Sequence, residues 1–528
     1  MHWKLLILFL FLVEMSSAQK YYPPVPFDSA LYEGKQNYLT VENKTNTAQK
    51  NVILIVADDM GKFDLSIYGN PYIQTPNIDA IAQSGILFNA GYATAAVCSP
   101  SRAGFITGRY QQRFGFHVQP HQRYPKNKFE LWAFRNLINT NSLHPEGWAK
   151  YPNKENKSKM GLPQSEITIA EMLKMNGYRT ALCGKWHLGY NAPLLPEYFG
   201  FDYRYGFNEA YSLFADPKDP TIVNARIKEF TDKVIWKGGR KGACAIFENG
   251  VEVEEKEYLT YAFFRKAKEF IGEKNEQSFF VFLPVNAPHT PYQAPKDIYD
   301  KLSHISEHNK RVYYAMIVAL DNAIGDLVDY LKRTNQYENT LIIFTSDNGA
   351  ALYSGTVNNE PLNAGKFTLF EGGVNIPFMM SCPSAIKEHL EISQPVSLLD
   401  IFPTIADFTH SKMPTDREYD GVSLSNCFLG DSIELERQRE AIYWYSDYNS
   451  AIRVGNYKLI INDLDNTVDL YNLKTDPYEK NNLSNNQEEI EKLKAQLTTW
   501  KNLMPRMYWP RIMNYEVEIN GKIYRWAV

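Results

Sequence analysis

Several short apolar runs in this chain end in residues that bind metals or handle anions. Asn51 to Ala57 (NVILIVA) ends in Asp58-Asp59-Met60-Gly61, and Leu341 to Thr345 ends in Ser346-Asp347-Asn348-Gly349. These two ends supply four side-chain oxygen donors and no thiolate or imidazole, which suits a hard cation such as Ca2+ or Mg2+ better than Zn2+. Arg179 to Cys183 ends in Gly184-Lys185-Trp186-His187-Leu188-Gly189. Residues 185 and 187 are two apart, so in extended backbone both side chains leave one face. Phe279 to Val285 ends in a proline-rich loop that presents His289, and Lys366 stands in Gly365-Lys366-Phe367 ahead of Glu371-Gly372-Gly373. Cys98 opens the stretch Cys98-Ser99-Pro100-Ser101-Arg102, with Thr107-Gly108-Arg109 behind it. Each motif alone has an ordinary structural reading: a turn after a strand, a surface lysine, a buried free cysteine. Together they describe a site for transferring a tetrahedral oxyanion such as a sulfuryl or phosphoryl group. Cations would stabilise charge on the equatorial oxygens, and a histidine would protonate the leaving alkoxide.

The elements that must position these residues follow from the same runs. Short, β-branched, non-alternating runs read as strands buried on both faces. Amphipathic stretches such as Ile167 to Met175 and Val312 to Thr334 lie between them. The pattern predicts an α/β fold with a large, mainly parallel sheet flanked by helices, and ligands then bind outside the carboxyl ends of the strands. A helix starting near Ser101 would place Cys98 at its positive end. Past residue 425 the pattern changes: short strands within Ala451 to Ile461 and Val468 to Leu473, a helix over Gln487 to Trp500, and a hairpin from Val517 to Trp526 turning at Asn520-Gly521. The expected division is a signal peptide (1–18), a catalytic domain (19–424) and a smaller α+β unit with an antiparallel sheet (425–528).

Composition narrows the class. The 528 residues carry a net charge of −4, with 44% hydrophobic and 22% charged residues, as in an ordinary globular protein without a nucleic-acid partner. Lys4, the nine-residue apolar run Leu5 to Val13, and Ser16-Ser17-Ala18 read as a secretory signal, and no cysteine follows to take a lipid anchor. The expectation is an exported protein without a membrane anchor, most simply periplasmic. Five cysteines (Cys98, Cys183, Cys244, Cys382, Cys427) make a poor disulfide framework and leave an odd one over. Sequons at Asn43, Asn156 and Asn482 carry no argument in so Asn-rich a chain.

The stretch Cys98-x-Pro100-Ser101-Arg102 with Thr107-Gly108-Arg109 resembles the signature of the type I sulfatases, in the alkaline phosphatase superfamily. The likeness runs in family order from residue 51 to about 484, including Ile401-Phe402-Pro403-Thr404 and Leu470-Tyr471-Asn472-Leu473…Asp476-Pro477…Glu479…Asn482-Leu483. It implies that a separate maturation enzyme oxidises Cys98 to formylglycine on the unfolded chain. It also implies one metal, usually Ca2+, held by Asp58, Asp59, Asp347, Asn348 and the modified Cys98. By the same resemblance Arg102 holds the hydrated aldehyde, Lys185 and Lys366 bind sulfate oxygens, His289 acts as acid for the leaving oxygen, and His187 assists the hydrate. The implied cycle uses both hydroxyls of the hydrate, one to attack sulfur and one to eliminate sulfate. The implied substrate is a sulfated carbohydrate. A phosphonate or phosphate monoester hydrolase of the same superfamily and a non-catalytic glycan-binding protein are the competing readings.

Phe116 to Met160 is longer than a minimal connection needs and rich in Tyr, Trp, Lys, Asn and His. Long irregular loops in compact domains are often functional. This segment, with Tyr203 to Asp219, is expected to wall the pocket and select the sugar. His117, His121 and Trp148 are the candidate side chains.

Overall fold

The computed structural model describes residues 21–40, 50–125, 127–138, 142–145, 151–227, 230–273, 277–429 and 441–528. The expected signal peptide, the sequon at Asn43, and Trp148 lie outside them. Strand β1 (Asn51–Ala57) is near the middle of a ten-stranded sheet. The others are β2 (Gly85–Phe88), β3 (Arg179–Lys185), β4 (Tyr203–Phe207), β5 (Ile246–Glu248), β6 (Val251–Val253), β7 (Phe279–Pro284), β8 (Thr340–Ser346), β9 (Phe378–Ser381) and β10 (Leu390–Ile392). Their order is β10-β2-β9-β8-β1-β7-β3-β4-β5-β6. The neighbours β8, β1, β7, β3 and β4 run parallel. On either side β9 and β5 pair antiparallel, which makes the sheet mixed.

The apolar run of β1 has no polar break because both faces are covered. Ile53, Ile55 and Ala57 join one core, Val52, Leu54 and Val56 another. Helices α3 (Leu259–Gly272) and α4 (His308–Arg333) line the first core. Helices α1 (Cys98–Thr107), α2 (Ile169–Met175) and α5 (Ile401–Phe408) line the second. Thr168 starts α2 through a capping box with Glu171, bonded both ways at 3.0 and 3.1 Å.

Four antiparallel strands follow: β11 (Ala441–Ser446), β12 (Asn449–Val454), β13 (Tyr457–Asn462) and β14 (Thr467–Asn472). Helix α6 (Gln487–Asn502) packs on them. The hairpin of β15 (Met513–Ile519) and β16 (Lys522–Ala527) turns at Asn520 (φ 53°) and Gly521 (φ 77°), as the sequence predicts.

A third strand on that hairpin, Leu143–Pro145, comes from the segment expected to be irregular. The same segment contains the helices Lys128–Ile138 and Lys154–Ser158. The strand pairs with residues far along the chain, so no local pattern could announce it. The C-terminal strands also share an apolar cluster with Val97, Phe367 and Phe370, flush against the motifs identified above.

Candidate active site

Strands β8, β1, β7 and β3 stand side by side, so their carboxyl ends bring the sequence motifs together. Asp58 and Asp59 leave β1, Asp347 and Asn348 leave β8, and Lys185 ends β3. Asp59 adopts φ 64°, a left-handed conformation that Asp tolerates better than most residues. It turns the second carboxylate inward, where the Asp59 amide approaches Asp347 Oδ1 at 3.3 Å. Lys185 Nζ reaches Asp58 Oδ2 at 2.7 Å. Arg102 donates from Nε to Asp347 Oδ2 at 2.8 Å and from Nη1 to the Lys185 carbonyl at 3.1 Å. Its Nη2 lies 3.6 Å from Asp58 Oδ1.

Lys366 arrives on a loop pressed against the end of β8. A Cβ on Gly349 would lie 1.8 Å from the Gly372 carbonyl, so only glycine allows this approach. The Lys366 amide donates to Ala350 O at 2.9 Å, and Phe367 to Ala96 O at 2.7 Å. Lys366 Nζ then lies 2.6 Å from Asp59 Oδ1 and 3.2 Å from Cys98 Sγ. Cys98 occupies the first turn of α1, one turn earlier than the sequence suggests, in a helix whose ten residues are all buried. Its Sγ is 3.6 Å from Asp59 Oδ1.

The two histidines enter differently. His289 Nδ1 lies 2.6 Å from the Thr290 carbonyl. A carbonyl only accepts, so Nδ1 carries the proton and Nε2 faces Asp59 Oδ2 at 3.5 Å. His187 has φ 56°, and β3 stops at Lys185. The extended alternation expected to put both side chains on one face therefore ends before His187. Ser99, which spacing gave no reason to single out, fixes this bend by donating to the His187 carbonyl at 2.6 Å. His187 Nδ1 is buried without a hydrogen-bond partner.

Burial and neighbouring charge set the protonation states. Burial would raise the Asp58 carboxyl, but Lys185, His289 and Arg102 outweigh it and hold it below the usual carboxylate range. Asp59 is also held low: burial again opposes, and Lys366 and His289 prevail. Asp347 goes the other way, because burial and the nearby Asp58 charge overcome Arg102. Burial pushes the Cys98 thiol well up despite Lys185 and Lys366. Burial and the cations Lys185, Arg102 and Lys366 push His187 well down. Burial also lowers His289, against the pull of Asp59 and Asp58. Burial works against the Lys366 ammonium, yet Asp59 raises it well above its ordinary value.

The donor set fits a hard cation. Asp58 Oδ1 and Asn348 Oδ1 are buried without hydrogen-bond partners. The ligand atoms of Asp58, Asp59, Cys98 and His289 lie within 4.8 Å of one another. Buried polar atoms are normally satisfied, so these two orphaned oxygens, at the ends of adjacent strands, leave acceptor capacity for an ion.

Of the side chains expected to select a sugar, His117 and His121 lie within the described residues. His117 is 2% exposed, with Nε2 donating to Pro505 O at 3.2 Å and its ring edge-on to Tyr445. It braces the C-terminal segment and lines a small cavity with Val97, Phe367 and Tyr445. His121 sits edge-on to Tyr124. The two segments expected to form the wall do meet: Gln122 donates to Glu209 Oε2 at 2.9 Å, and Tyr190 donates to Pro120 O at 3.0 Å. A second buried charge cluster went unrecognised in the sequence. Lys458 Nζ lies 2.7 Å from Glu371 Oε1 and 2.9 Å from Glu479 Oε1, and Glu479 Oε2 accepts the Glu371 amide at 2.7 Å. Glu371 and Glu479 belong to motifs visible in the sequence, but Lys458 lies in an unremarkable strand.

The sulfatase family model matches residues 50–411, and a model of the C-terminal part of N-sulphoglucosamine sulphohydrolase matches residues 364–504. The chain is 30% identical over 414 residues to the N-acetylgalactosamine-6-sulfatase of Canis lupus familiaris, covering 77% of this chain and 71% of that one. It is 27% identical over 542 residues to the N-acetylgalactosamine-6-O-sulfatase of Bacteroides thetaiotaomicron, covering 90% and 97%. The crystal structure of Ps i-CgsB in complex with k-i-k-neocarrahexaose matches with a TM-score of 0.73 and 30% identity, over 88% of this chain and 95% of that one. The chain belongs to the sulfatase family. It is a sulfuric ester hydrolase.

Proposed function

We propose that this sulfatase cleaves sulfate esters of a carbohydrate, using Cys98 after its oxidation to formylglycine and one Ca2+. The observation that carries this reading is the position of Cys98. Its Sγ lies 3.2 Å from Lys366 Nζ and 3.6 Å from Asp59, at the start of a buried helix and within the cluster of ligand atoms from Asp58, Asp59 and His289. As formylglycine hydrated by one water, residue 98 would offer two hydroxyls on one carbon, one to accept a sulfuryl group and one whose deprotonation allows sulfate release as the aldehyde re-forms. Asp58, Asp59, Asp347 and Asn348, with residue 98, would hold the ion, which would supply polarisation of the sulfuryl oxygens.

The chain's own residues do the rest. Lys185 and Lys366 supply positive charge for the sulfuryl oxygens, and burial makes that charge count for more than it would in water. Arg102, anchored on Asp347 and the Lys185 carbonyl, orients the group at position 98. With Nδ1–H committed to Thr290, Nε2 of His289 is the nitrogen that would first take up a proton, which the Asp59 and Asp58 charges favour, and then pass it to the leaving oxygen. His187, kept neutral by burial and three cations, is suited to accept one.

The carbohydrate assignment rests on relatives named for N-acetylgalactosamine-6-sulfate and on one solved with a neocarrahexaose bound. Export to the periplasm, and maturation by a separate enzyme before folding, complete the proposal. Mass spectrometry of the peptide containing Cys98, alongside rates on aryl sulfate and aryl phosphonate monoesters and a sulfated-oligosaccharide panel, tests it. An unmodified thiol in fully active enzyme would refute the nucleophile. Faster phosphonate than sulfate turnover would refute the substrate class.

A further inference from the structure

Helix Lys128–Ile138 presents a face with an unusual composition. Asn127 caps it, its Oδ1 accepting the Glu130 amide at 2.8 Å. At 3.6 residues per turn, residues 128, 129, 132, 135 and 136 fall on one side, and all five are exposed. That side carries two aromatic rings, two cations and an amide, with no carboxylate. Phe129 and Trp132 are 73% and 61% exposed, and their rings stack with centroids 5.9 Å apart at 27°. Trp132 is the one exposed tryptophan among the described residues.

The helix is anchored on the apolar cluster that also backs the catalytic centre. From its other side Phe134 packs on the cluster containing Val97 and Phe367, the chain neighbours of Cys98 and Lys366. The helix also packs against helix Phe230–Gly238. That helix follows strand Ile222–Ala225, which pairs with Tyr292–Pro295, directly after His289. The helix is therefore tied through packed elements to both the Lys366 side and the His289 side, and its aromatic face points outward, opposite Phe134.

Charge indicates the occupant. Residues 116–160 contain eight lysines and arginines against three acidic residues, in a chain whose net charge is −4. Stacked rings match the apolar faces of sugars, and flanking Lys128 and Arg135 match anionic substituents. We propose that this face holds sugar units of a sulfated polysaccharide beyond the ester being cleaved, so that the enzyme prefers a polymer to a free monosaccharide sulfate. The inference deepens the carbohydrate-sulfatase reading and rests on it.

The test compares wild type with the double variant Phe129→Ala/Trp132→Ala, using carrageenan and chondroitin sulfate, each beside its desulfated form, and a small aryl sulfate. The expected result is a rise of about tenfold in KM for the accepted polymer with kcat held. KM for the aryl sulfate, too short to reach the helix, should move less than twofold, which also reports on folding. Equal changes for polymer and aryl sulfate, or none for either, would overturn the proposal. So would a variant whose only change is a shift in sedimentation, which would make the face an interface between copies. Retention on immobilised polymer gives a readout independent of turnover. If wild type hydrolyses no sulfate ester yet binds the sulfated polymer, and the variant does not, the platform stands and the catalytic reading falls.

Discussion

Lys366 Nζ lies 3.2 Å from Cys98 Sγ although 268 residues separate them. The same ammonium lies 2.6 Å from Asp59, so it links Cys98 to the carboxylate at the end of the central strand. Replacing Lys366 with Met should lower kcat/KM on an aryl sulfate by about 10²–10³-fold, the usual effect of removing one preorganised charge-stabilising donor. The buried Asp59 carboxylate would also lose its partner, at a cost of about 3–5 kcal/mol measured by chemical denaturation.

Cys98→Ser should fold as the parent does and lose turnover. Serine brings one hydroxyl, enough to be sulfated but without the second needed to release sulfate. Intact-mass analysis and kcat on an aryl sulfate check both halves, and full activity in the purified variant would sink the mechanism.

Three carboxylates, Asp58, Asp59 and Asp347, meet three cations, Arg102, Lys185 and Lys366. A divalent cation and a doubly charged sulfate product would preserve that neutrality. Dialysis against a chelator should abolish activity, and Ca2+ should restore it. At a free Ca2+ concentration near 100 times Kd the ion should add about 2.7 kcal/mol of stability. Asn348→Ala should raise the Ca2+ concentration needed for both effects.

His117 should make stability depend on pH. Burial lowers its pKa from 6.5 to about 4. Below 6.5 the unfolded chain takes up a proton that the folded chain refuses, so this contribution is flat at higher pH and is lost as pH falls toward 4. Comparing urea melts of wild type and His117→Gln across that range should show a shallower slope in the variant, by up to about 2–3 kcal/mol.

Lys458→Met should be among the costlier single changes outside the catalytic centre. It leaves Glu371 and Glu479 facing each other in a buried space, where burial and Glu371 already push Glu479 up to about 7. A loss of about 3–5 kcal/mol is expected, partly recovered by adding Glu479→Gln.

What the sequence made legible was local. NVILIVA could only be a strand covered on both faces, and Asp58-Asp59 at its end had to emerge on the ligand-binding edge. The same reasoning found Asp347, Asn348, Lys185 and His289. It failed where the deciding contact is distant or the backbone turns. The left-handed His187 breaks an alternation that spacing alone would continue. Leu143–Pro145 becomes a strand only because Met513–Tyr515 lies alongside it. A histidine in an aromatic loop likewise does not reveal that the Pro505 carbonyl, far along the chain, will accept its Nε2–H. Lys458 sits in an ordinary strand, and nothing nearby in sequence announces its two partners.

The Lys458 cluster also sets an order of events. Glu371 begins the turn that holds the Lys366 loop, and it is locked by residues made about 90–110 positions later. At a synthesis rate of about 5–20 residues per second, roughly 20–70 s separate the appearance of Cys98 from that of Lys458. The cluster needs Glu371, Lys458 and Glu479 together, so it can close only after residue 479 has been made, when about nine-tenths of the chain exists.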